Sequence, residues 1–424
     1  MTDETARQTQ TLAHTVAPGE VRRLMVFFGL VYFSQGLGQA VGLINQPLAY
    51  YLKSLGMTAD RVAQLMAVLT IPWMIKPVYG LISDYVPLFG YRRKSYLILM
   101  NGLAMGGFLW LTVLTNPDVI VKAILLTAVG IASSDILVDA LMVENGHKTG
   151  MIRQFQGQQW MWFNIAAVTT GLIGGWLSSS YPPQTALHLA ALITACAPAA
   201  VVLATMVLVR EPRVELNVAQ IKVTTRGLMA ALRSRTLWAV AGFLALWSFI
   251  PTLGMPLYYH MVDHLKFDQY FIGQLTALGA VGAVVGAFVY RRYLAVWMST
   301  HRLVYVSIVL ASAATASYLL LLSRTSAIMV YFTTSLLTMI PFLTLLSLAA
   351  AACPPQAAGF TFAAMMSITN LSGQLSSVFG AYLYERVFHQ NIVPLIGVST
   401  VMTLSTMLLV PFLSIRESAH KQAY

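Results

Sequence analysis

Apolar residues along the chain fall into windows of about 20 residues, and short polar breaks separate one window from the next. A helix of about 20 apolar residues is long enough to cross a hydrocarbon core of roughly 30 Å. Each window therefore predicts one transmembrane helix. The twelve predicted spans, numbered in chain order, are 25–51, 58–83, 95–114, 119–143, 155–179, 185–209, 237–262, 269–290, 303–322, 327–352, 358–384 and 393–415.

This pattern predicts an all-α membrane protein whose twelve transmembrane helices form two pseudo-symmetric six-helix halves. The N-terminal tail has no apolar h-region and no small-residue cleavage site, so we expect no cleaved signal peptide. The predicted segments are a cytoplasmic N-terminal tail (1–22), a first six-helix bundle (23–209), a cytoplasmic central loop (210–235), a second six-helix bundle (236–415) and a cytoplasmic C-terminal tail (416–424).

Lysines and arginines are divided unequally between the two faces of this topology. With the N-terminus inside, eighteen of those from Arg22 to Lys421 lie in cytoplasmic segments and six on the opposite face. Because cytoplasmic loops carry an excess of basic residues, both termini are expected in the cytoplasm. The expected location is a bacterial inner membrane, or a membrane derived from it. The net charge of +11 then reflects loop residues that fix orientation, and no nucleic-acid partner is expected.

The two halves echo one another in sequence. Pro47-Leu48-Ala49-Tyr50-Tyr51 closes span 1 and Gln64 follows in span 2, while Pro256-Leu257-Tyr258-Tyr259 closes span 7 and Gln274 follows in span 8. This repeat favours two parallel six-helix units with a solute site between them at mid-membrane. Two glycine-rich runs, 36–42 and 279–286, lie inside apolar spans and predict close helix packing rather than phosphate binding.

The loop between spans 2 and 3 carries Gly80 and Asp84, followed by Arg92 and Arg93. It resembles the loop signature of the major facilitator superfamily. That resemblance implies a cytoplasmic charge cluster that latches one conformation, formed here by Asp84, Arg92 and Arg93. Glu144, near the membrane surface at the end of span 4, is assigned to the same latch.

A longer form of this loop and several further segments are similar to the folate–biopterin transporter family, a branch of the same superfamily. The resemblance spans nearly the whole chain and is strongest in spans 2 to 4. It implies a twelve-helix transporter whose solute is a pterin or a folate. The matching segments are 72–77, 83–93, 135–140, 353–355 and 366–370.

Ionisable residues deep in a membrane are costly and are functional candidates by default. Asp135 and Asp139 stand at i and i+4 on one face of span 4, about 6 Å apart. Two carboxylates so close in a low-dielectric site should not both ionise readily, which suits a proton-coupled carrier. Lys76 in span 2 lies at a depth similar to that of Asp135 by helix rise. The three residues are therefore predicted to couple protons to transport, or to form a buried salt bridge between spans 2 and 4.

Other polar residues near mid-membrane predict the solute site, because polar groups in hydrocarbon need partners. Hydrogen bonding between helices is the alternative explanation for them. Asp135 is included because a carboxylate can accept two hydrogen bonds from the donor edge of a pterin ring. The predicted solute-binding residues are Gln35, Ser134, Asp135, Asn164, Asn370 and Gln374.

His260, Asp263 and His264 stand at i, i+3 and i+4 at the outer end of span 7. Two histidines one turn apart can share a metal ion, although polar residues are also common at a solvated helix end. The cluster leaves transport of a metal ion such as iron open as an alternative to pterin transport. The two cysteines, Cys196 and Cys353, lie in or beside different spans and predict neither a disulfide framework nor a zinc site.

The leading hypothesis is a proton-linked carrier of a small solute that works by alternating access. A metal-ion transporter of the same fold is the second hypothesis, and a non-transporting membrane assembly factor is the third. Because no pairing of a nucleophile with a base and no cofactor motif stands out, the sequence predicts neither an enzyme nor a bound cofactor. The expected partners are the solute or ion and the lipid bilayer, and the expected state is a monomer.

Overall fold

The computed structural model describes residues 18–39, 42–149, 151–214, 233–294, 297–353 and 358–413. Parts of the predicted tails and of the central loop, namely residues 1–17, 215–232 and 416–424, lie outside the described residues. Within the described ranges the chain is helical, and its only extended pairing is an isolated bridge between Leu88 and Tyr91. The prediction of an all-α protein is confirmed.

Helices occupy all six predicted spans of the first half. In chain order they are α1 Pro18–Gly38, α2 Asn45–Ser54, α3 Ala59–Leu69, α4 Ile71–Met74, α5 Lys76–Tyr85, α6 Lys94–Leu111, α7 Pro117–Thr149, α8 Ile152–Ser180 and α9 Pro183–Leu208.

The second half continues with α10 Arg235–Ser248, α11 Gly254–Asp263, α12 Gln269–Val289, α13 Thr300–Ser317, α14 Arg324–Ala352, α15 Ala358–Tyr382 and α16 Ile392–Ser405. Short π-helical turns extend α12 over Tyr290–Leu294 and α15 over Leu383–Val387. Among the described residues, six helical segments are long and apolar enough to cross a membrane by length and composition.

Spans 1 and 7 are each interrupted, where the apolar pattern predicted continuous helices. Span 1 divides into α1 and α2, and span 7 into α10 and α11. Pro47 and Pro256 each occupy the third position of the second piece, where a helix tolerates proline because the N–H groups of its first turn have no partner within the helix. The sequence echo between the halves therefore marks the same break in both.

The break in span 7 is covered by hydroxyl groups from later helices. Ser376 Oγ donates to the Ile250 carbonyl, and Ser399 Oγ donates to the Pro251 carbonyl at 2.7 Å. These bonds satisfy backbone acceptors that the interrupted helix frees, as required in a medium without water. Span 2 is also divided, at Thr70 and at Ile75. A proline, Pro72 or Pro77, is the second residue of the helix that follows each division.

The chain forms two compact units that cut across the sequence halves. The first comprises 1–45, 78–170 and 187–216, and the second comprises 46–77, 171–186 and 217–424. In the first, Phe28 packs edge-on against Phe155 at 5.1 Å between ring centroids. This grouping reflects contacts and not chain topology, so the division into two six-helix bundles stays a prediction.

The glycine run 279–286 faces helix α14 in the second unit. A methyl group on Gly282 would lie 2.4 Å from the Phe332 carbonyl oxygen, and one on Gly286 would lie 2.3 Å from the Leu336 carbonyl oxygen. Only glycine allows two helix backbones to approach so closely. The run thus packs helices, as its position in an apolar span predicted.

Candidate functional site

The deep acidic residues lie on α7, where that helix faces α1 in the first unit. Tyr32 of α1 donates a hydrogen bond from its phenol to Asp139 Oδ1. Further along the same antiparallel pair, a methyl group on Gly38 would lie 3.0 Å from Ile131 Cδ1. Gln35 is midway between Tyr32 and Gly38, and Asp135 is midway between Asp139 and Ile131. The register therefore sets Gln35 and Asp135 at the same level of the α1–α7 seam.

Asp135 and Asp139 are both half-buried, one helical turn apart on the same face. The Tyr32 hydroxyl interacts electrostatically with both carboxylates. Tyr32 therefore connects α1 to this pair of carboxylates through Asp139.

Ser134 lies beside Asp135 but points to α6. Its Oγ accepts a hydrogen bond from Asn101 Nδ2 at 3.0 Å, and the same amide nitrogen donates to the Leu97 carbonyl at 2.9 Å. These contacts join α6 and α7 inside the first unit. They give Ser134 a structural bond alongside its predicted solute-binding role.

The remaining predicted solute-binding residues lie on α8 and α15. Asn164 Nδ2 donates to the Trp160 carbonyl of its own helix at 2.7 Å. Asn370 and Gln374 stand one turn apart on α15 in the second unit, and both are half-buried. Their contact with solute stays a prediction. Lys76, the first residue of α5, is also half-buried, and its pairing with Asp135 stays a prediction as well.

A group of charges that we call the inner charge cluster, named for the face where the sequence predicts it, comprises Asp84, Arg93, Glu144 and Glu211. Arg93 Nη2 lies 2.5 Å from Asp84 Oδ1 and 3.4 Å from Glu144 Oε1. The Arg93 side chain is only 5% exposed, and it also donates to Ser83 Oγ. The structure thus brings together three of the four predicted latch residues around one guanidinium.

The fourth predicted latch residue, Arg92, contributes its backbone. Its N–H donates to Glu211 Oε1 at 3.0 Å, and the N–H groups of Arg93 and Lys94 donate to the same carboxylate at 3.1 and 2.8 Å. Glu211 therefore caps the N-terminus of α6, where N–H groups lack partners within the helix. In return, Lys94 Nζ donates to the Val209 carbonyl at 2.9 Å, just beyond the end of α9.

A second group, which we call the outer charge cluster on the same naming basis, comprises Lys53, Asp60, Asp263 and Arg386. Lys53 Nζ lies 2.7 Å from Asp263 Oδ2 and 4.0 Å from the centre of the Tyr259 ring. Arg386 Nε lies 3.1 Å from Asp60 Oδ2. Both pairs lie in the second unit, and each joins a first-half helix to a second-half helix.

Two further contacts in the second unit connect the same parts of the chain. Gln46 Nε2 donates to the Gln269 carbonyl at 2.7 Å, at the start of α12. Close by on α12, a methyl group on Gly273 would lie 2.4 Å from the Gly171 carbonyl oxygen and 2.6 Å from Gly175 Cα. Helices α8 and α12 therefore touch backbone to backbone, at a place we call the glycine seam (Gly171, Gly175 and Gly273).

The predicted metal cluster is only partly assembled. The rings of His260 and His264 stack at 5.1 Å between centroids, whereas the Asp263 carboxylate is engaged by Lys53. Across the ranges that the structure describes, no group of three or more His, Cys, Asp or Glu side chains is placed to hold a metal ion. A site at this position stays a prediction.

Several residues at these sites were not found from the sequence. Tyr32 is separated from Asp139 by 107 positions, and Arg386 from Asp60 by 326. A signal did exist for Glu211, because a lone acidic residue stands between Arg210 and Arg213 where the central loop begins. Its partners, however, are backbone N–H groups, which no side-chain pattern marks.

Comparison with known proteins places these features in a family. The profile of the BT1 family matches residues 35–418. A folate-biopterin transporter from Synechocystis sp. is 28% identical, over 92% of this chain and 81% of that protein. A probable folate-biopterin transporter 4 from Arabidopsis thaliana is 25% identical, over 84% of this chain and 87% of that protein.

Solved structures share the fold. A nucleoside transporter, NupG, superposes with a TM-score of 0.71 at 14% identity, covering 91% of this chain and 99% of that one. A D-xylose-proton symporter superposes with a TM-score of 0.69 at 11% identity, covering 95% of this chain and all of that one (100%). Identities this low show the fold alone. The fold is that of an all-α membrane transporter, and the chain belongs to the BT1 family of transporters, not to an enzyme family.

Proposed function

We propose that this transporter carries a pterin or a folate and couples its movement to protons through Asp135 and Asp139. The observation that carries the proposal is the pair of half-buried carboxylates on α7, one turn apart, with Tyr32 bonded to one of them. A carboxylate in this setting can gain and lose a proton during the cycle. The names of the BT1 relatives support the substrate class.

Recognition of the solute follows from the same side chains. A pterin ring presents neighbouring N–H donors along one edge, and a carboxylate accepts two such donors at once. Asp135 is proposed to make this contact. The other residues proposed to bind the solute are Gln35, Ser134, Asn164, Asn370 and Gln374. Lys76 is the deep cation proposed to pair with Asp135 or to meet an anionic part of the solute.

The cycle is proposed to alternate between two open states. The outer charge cluster and the glycine seam join first-half helices to second-half helices, so opening towards the outer face requires that these contacts break. The inner charge cluster serves as the cytoplasmic latch. The proposed setting is a bacterial inner membrane, with both termini cytoplasmic and the protein monomeric.

Substitution of Asp135 by asparagine tests the coupling role, because it removes the titratable group and keeps the shape. In vesicles containing the purified protein, we expect Asp135→Asn to abolish pH-driven uptake of radiolabelled biopterin and folic acid, while the yield of folded protein stays near that of wild type. Asp118→Asn, at the exposed start of α7, is the matched control. Concentrative uptake that follows the pH gradient in Asp135→Asn would exclude the coupling role.

Metal-ion transport is the second candidate, favoured by the stacked His260 and His264 rings. For that function, the double variant His260→Ala with His264→Ala should lose uptake of ferrous iron at limiting metal and recover it as metal rises. The wild-type advantage should fade at acidic pH, because histidine ligands must be neutral to bind a metal ion. If the solute is a pterin, the double variant should transport biopterin like wild type.

A further inference from the structure

Two buried amides in the first unit differ in a way that the fold alone does not explain. Gln35 and Asn101 are each 1% exposed. Asn101 donates both to the Leu97 carbonyl and to Ser134 Oγ, so its amide nitrogen is satisfied. Neither the Oε1 nor the Nε2 of Gln35 has a hydrogen-bond partner among the described residues.

A carboxamide buried without partners is costly, because its donor and acceptor give up hydrogen bonds to water and gain none in return. Large apolar side chains would fill the same space without that cost. A group kept in this state therefore calls for a ligand that satisfies it during function. Gln35 has a free acceptor and a free donor on one planar group, so the ligand must offer a donor and an acceptor side by side.

The surroundings of Gln35 indicate which ligand that is. The contact of Tyr32 with Asp139 on one side and of Gly38 with Ile131 on the other set Gln35 level with Asp135. Asp139 is already bonded to Tyr32. Helix α1 ends at Gly38, within one turn of Gln35, and the chain then passes into the second unit at residue 46.

We infer that Gln35 is a specificity-determining contact for the transported solute, and that it grips a planar edge with adjacent N–H and C=O groups. The inference rests on the proposed function and adds a division of labour to it. Tyr32 holds Asp139 in place, Gln35 binds the solute, and Asp135 lies at the same level of the α1–α7 interface as Gln35. Because Gln35 is covered in this conformation, the site must open before the solute can reach it.

The first test needs no substrate. Methionine matches the shape of glutamine, and leucine matches that of asparagine, so Gln35→Met and Asn101→Leu form a matched pair. In detergent, Gln35→Met should melt at or above the wild-type temperature, because it removes an unsatisfied amide. Asn101→Leu should melt about 2–4 °C lower, because it removes bonded groups. Equal falls in both variants would overturn the inference.

The second test measures recognition. Gln35→Met should raise the KM for biopterin at least about tenfold and should abolish the thermal stabilisation that biopterin gives wild type. Gln35→Glu keeps an acceptor and loses the donor, so its KM for biopterin should lie between those of wild type and Gln35→Met. Unchanged biopterin affinity in Gln35→Met would overturn the inference.

A third arm separates this inference from the proposed substrate. If neither biopterin nor folic acid stabilises wild type or is transported by it, the proposed substrate is wrong. The role of Gln35 is then tested by the accessibility of position 35 to a thiol reagent. In a background with Cys196→Ser and Cys353→Ser, Gln35→Cys should react with a small water-soluble thiol reagent in membranes, whereas Asn101→Cys should not. An unreactive Gln35→Cys would then overturn the role of Gln35.

Discussion

The inner and outer charge clusters look alike in composition but connect the chain differently. Around the inner cluster, Arg93 meets partners 9 and 51 positions away, and the Glu211 carboxylate reaches back 117 to 119 positions, all within the first half. In the outer cluster, Lys53 and Asp263 are 210 positions apart, and Asp60 and Arg386 are 326 apart. The inner cluster therefore stabilises one half internally, while the outer cluster joins both halves.

This difference separates two kinds of effect. Contacts within one half persist as long as that half stays folded, so their loss should reduce stability. In the proposed cycle, contacts between halves belong to one conformation, so their loss should shift the population of conformations. We therefore expect the inner contacts to contribute to stability, in addition to their proposed role as a latch, and the outer contacts to contribute to the balance between conformations.

The largest effect is expected at the glycine seam. A methyl group in Gly273→Ala would meet the backbone of Gly171 and Gly175, which no side-chain rotation can relieve. We expect the conformation with joined outer contacts to lose roughly 1–3 kcal/mol or more. A cysteine introduced by Gln46→Cys should then react faster with an impermeant thiol reagent applied from the predicted outer face.

The control for the seam is Gly242→Ala on α10, where a methyl group would meet nothing within 4 Å. Alanine is favoured over glycine inside a helix by about 1 kcal/mol, so this variant should be as stable as wild type or more so. Labelling of Gln46→Cys should not change. Equal labelling with Gly273→Ala and with Gly242→Ala would show that the seam does not set the conformation.

A smaller effect is expected at the inner cluster. Glu211→Ala removes the cap from three N–H groups at the start of α6 and should lower stability by about 1–2 kcal/mol. Glu211→Gln keeps an acceptor and should lose less. Thermal unfolding measures both, and labelling of Gln46→Cys should stay at the wild-type rate. An increase in that labelling would mean that the inner cluster also controls the outer contacts.

The smallest effect is expected for Lys53 and Asp263, because the Asp263 side chain is 45% exposed and water screens the pair. Lys53→Asp alone places two carboxylates together and should raise labelling of Gln46→Cys by about two- to fivefold, corresponding to less than about 1 kcal/mol. The exchanged pair, Lys53→Asp with Asp263→Lys, should restore the wild-type rate. Failure of the exchange to rescue would mean that the two residues act separately.

Much of the fold could be predicted from the sequence, because a lipid environment forces apolar windows into helices of known length. The echo at Pro47 and Pro256 also indicated equivalent positions in the two halves. It did not reveal the breaks before them, because both breaks lie within apolar sequence. The hydroxyls of Ser376 and Ser399, which cover the second break, come from more than 120 positions away.

Residues of the candidate site could be predicted only where a charged or polar side chain is rare in its surroundings. Asp135 and Asp139 stand out because a charge inside an apolar span is exceptional. Tyr32 does not stand out, since aromatic residues are common throughout such spans. Gln35 was expected in the site because it is polar, but its unsatisfied amide is a property of its neighbours and could not be read from one residue.

The reciprocal caps between α6 and α9 also constrain the order of assembly during synthesis. The α6 N-terminus is complete only when Glu211 exists, and Lys94 can bind the Val209 carbonyl only then. A nascent chain that stops after the third span therefore carries an uncapped helix start. Release of Glu211 from the ribosome supplies the carboxylate that completes this helix start. The cap of the third span is thus synthesised only after the sixth span, at the start of the predicted central loop.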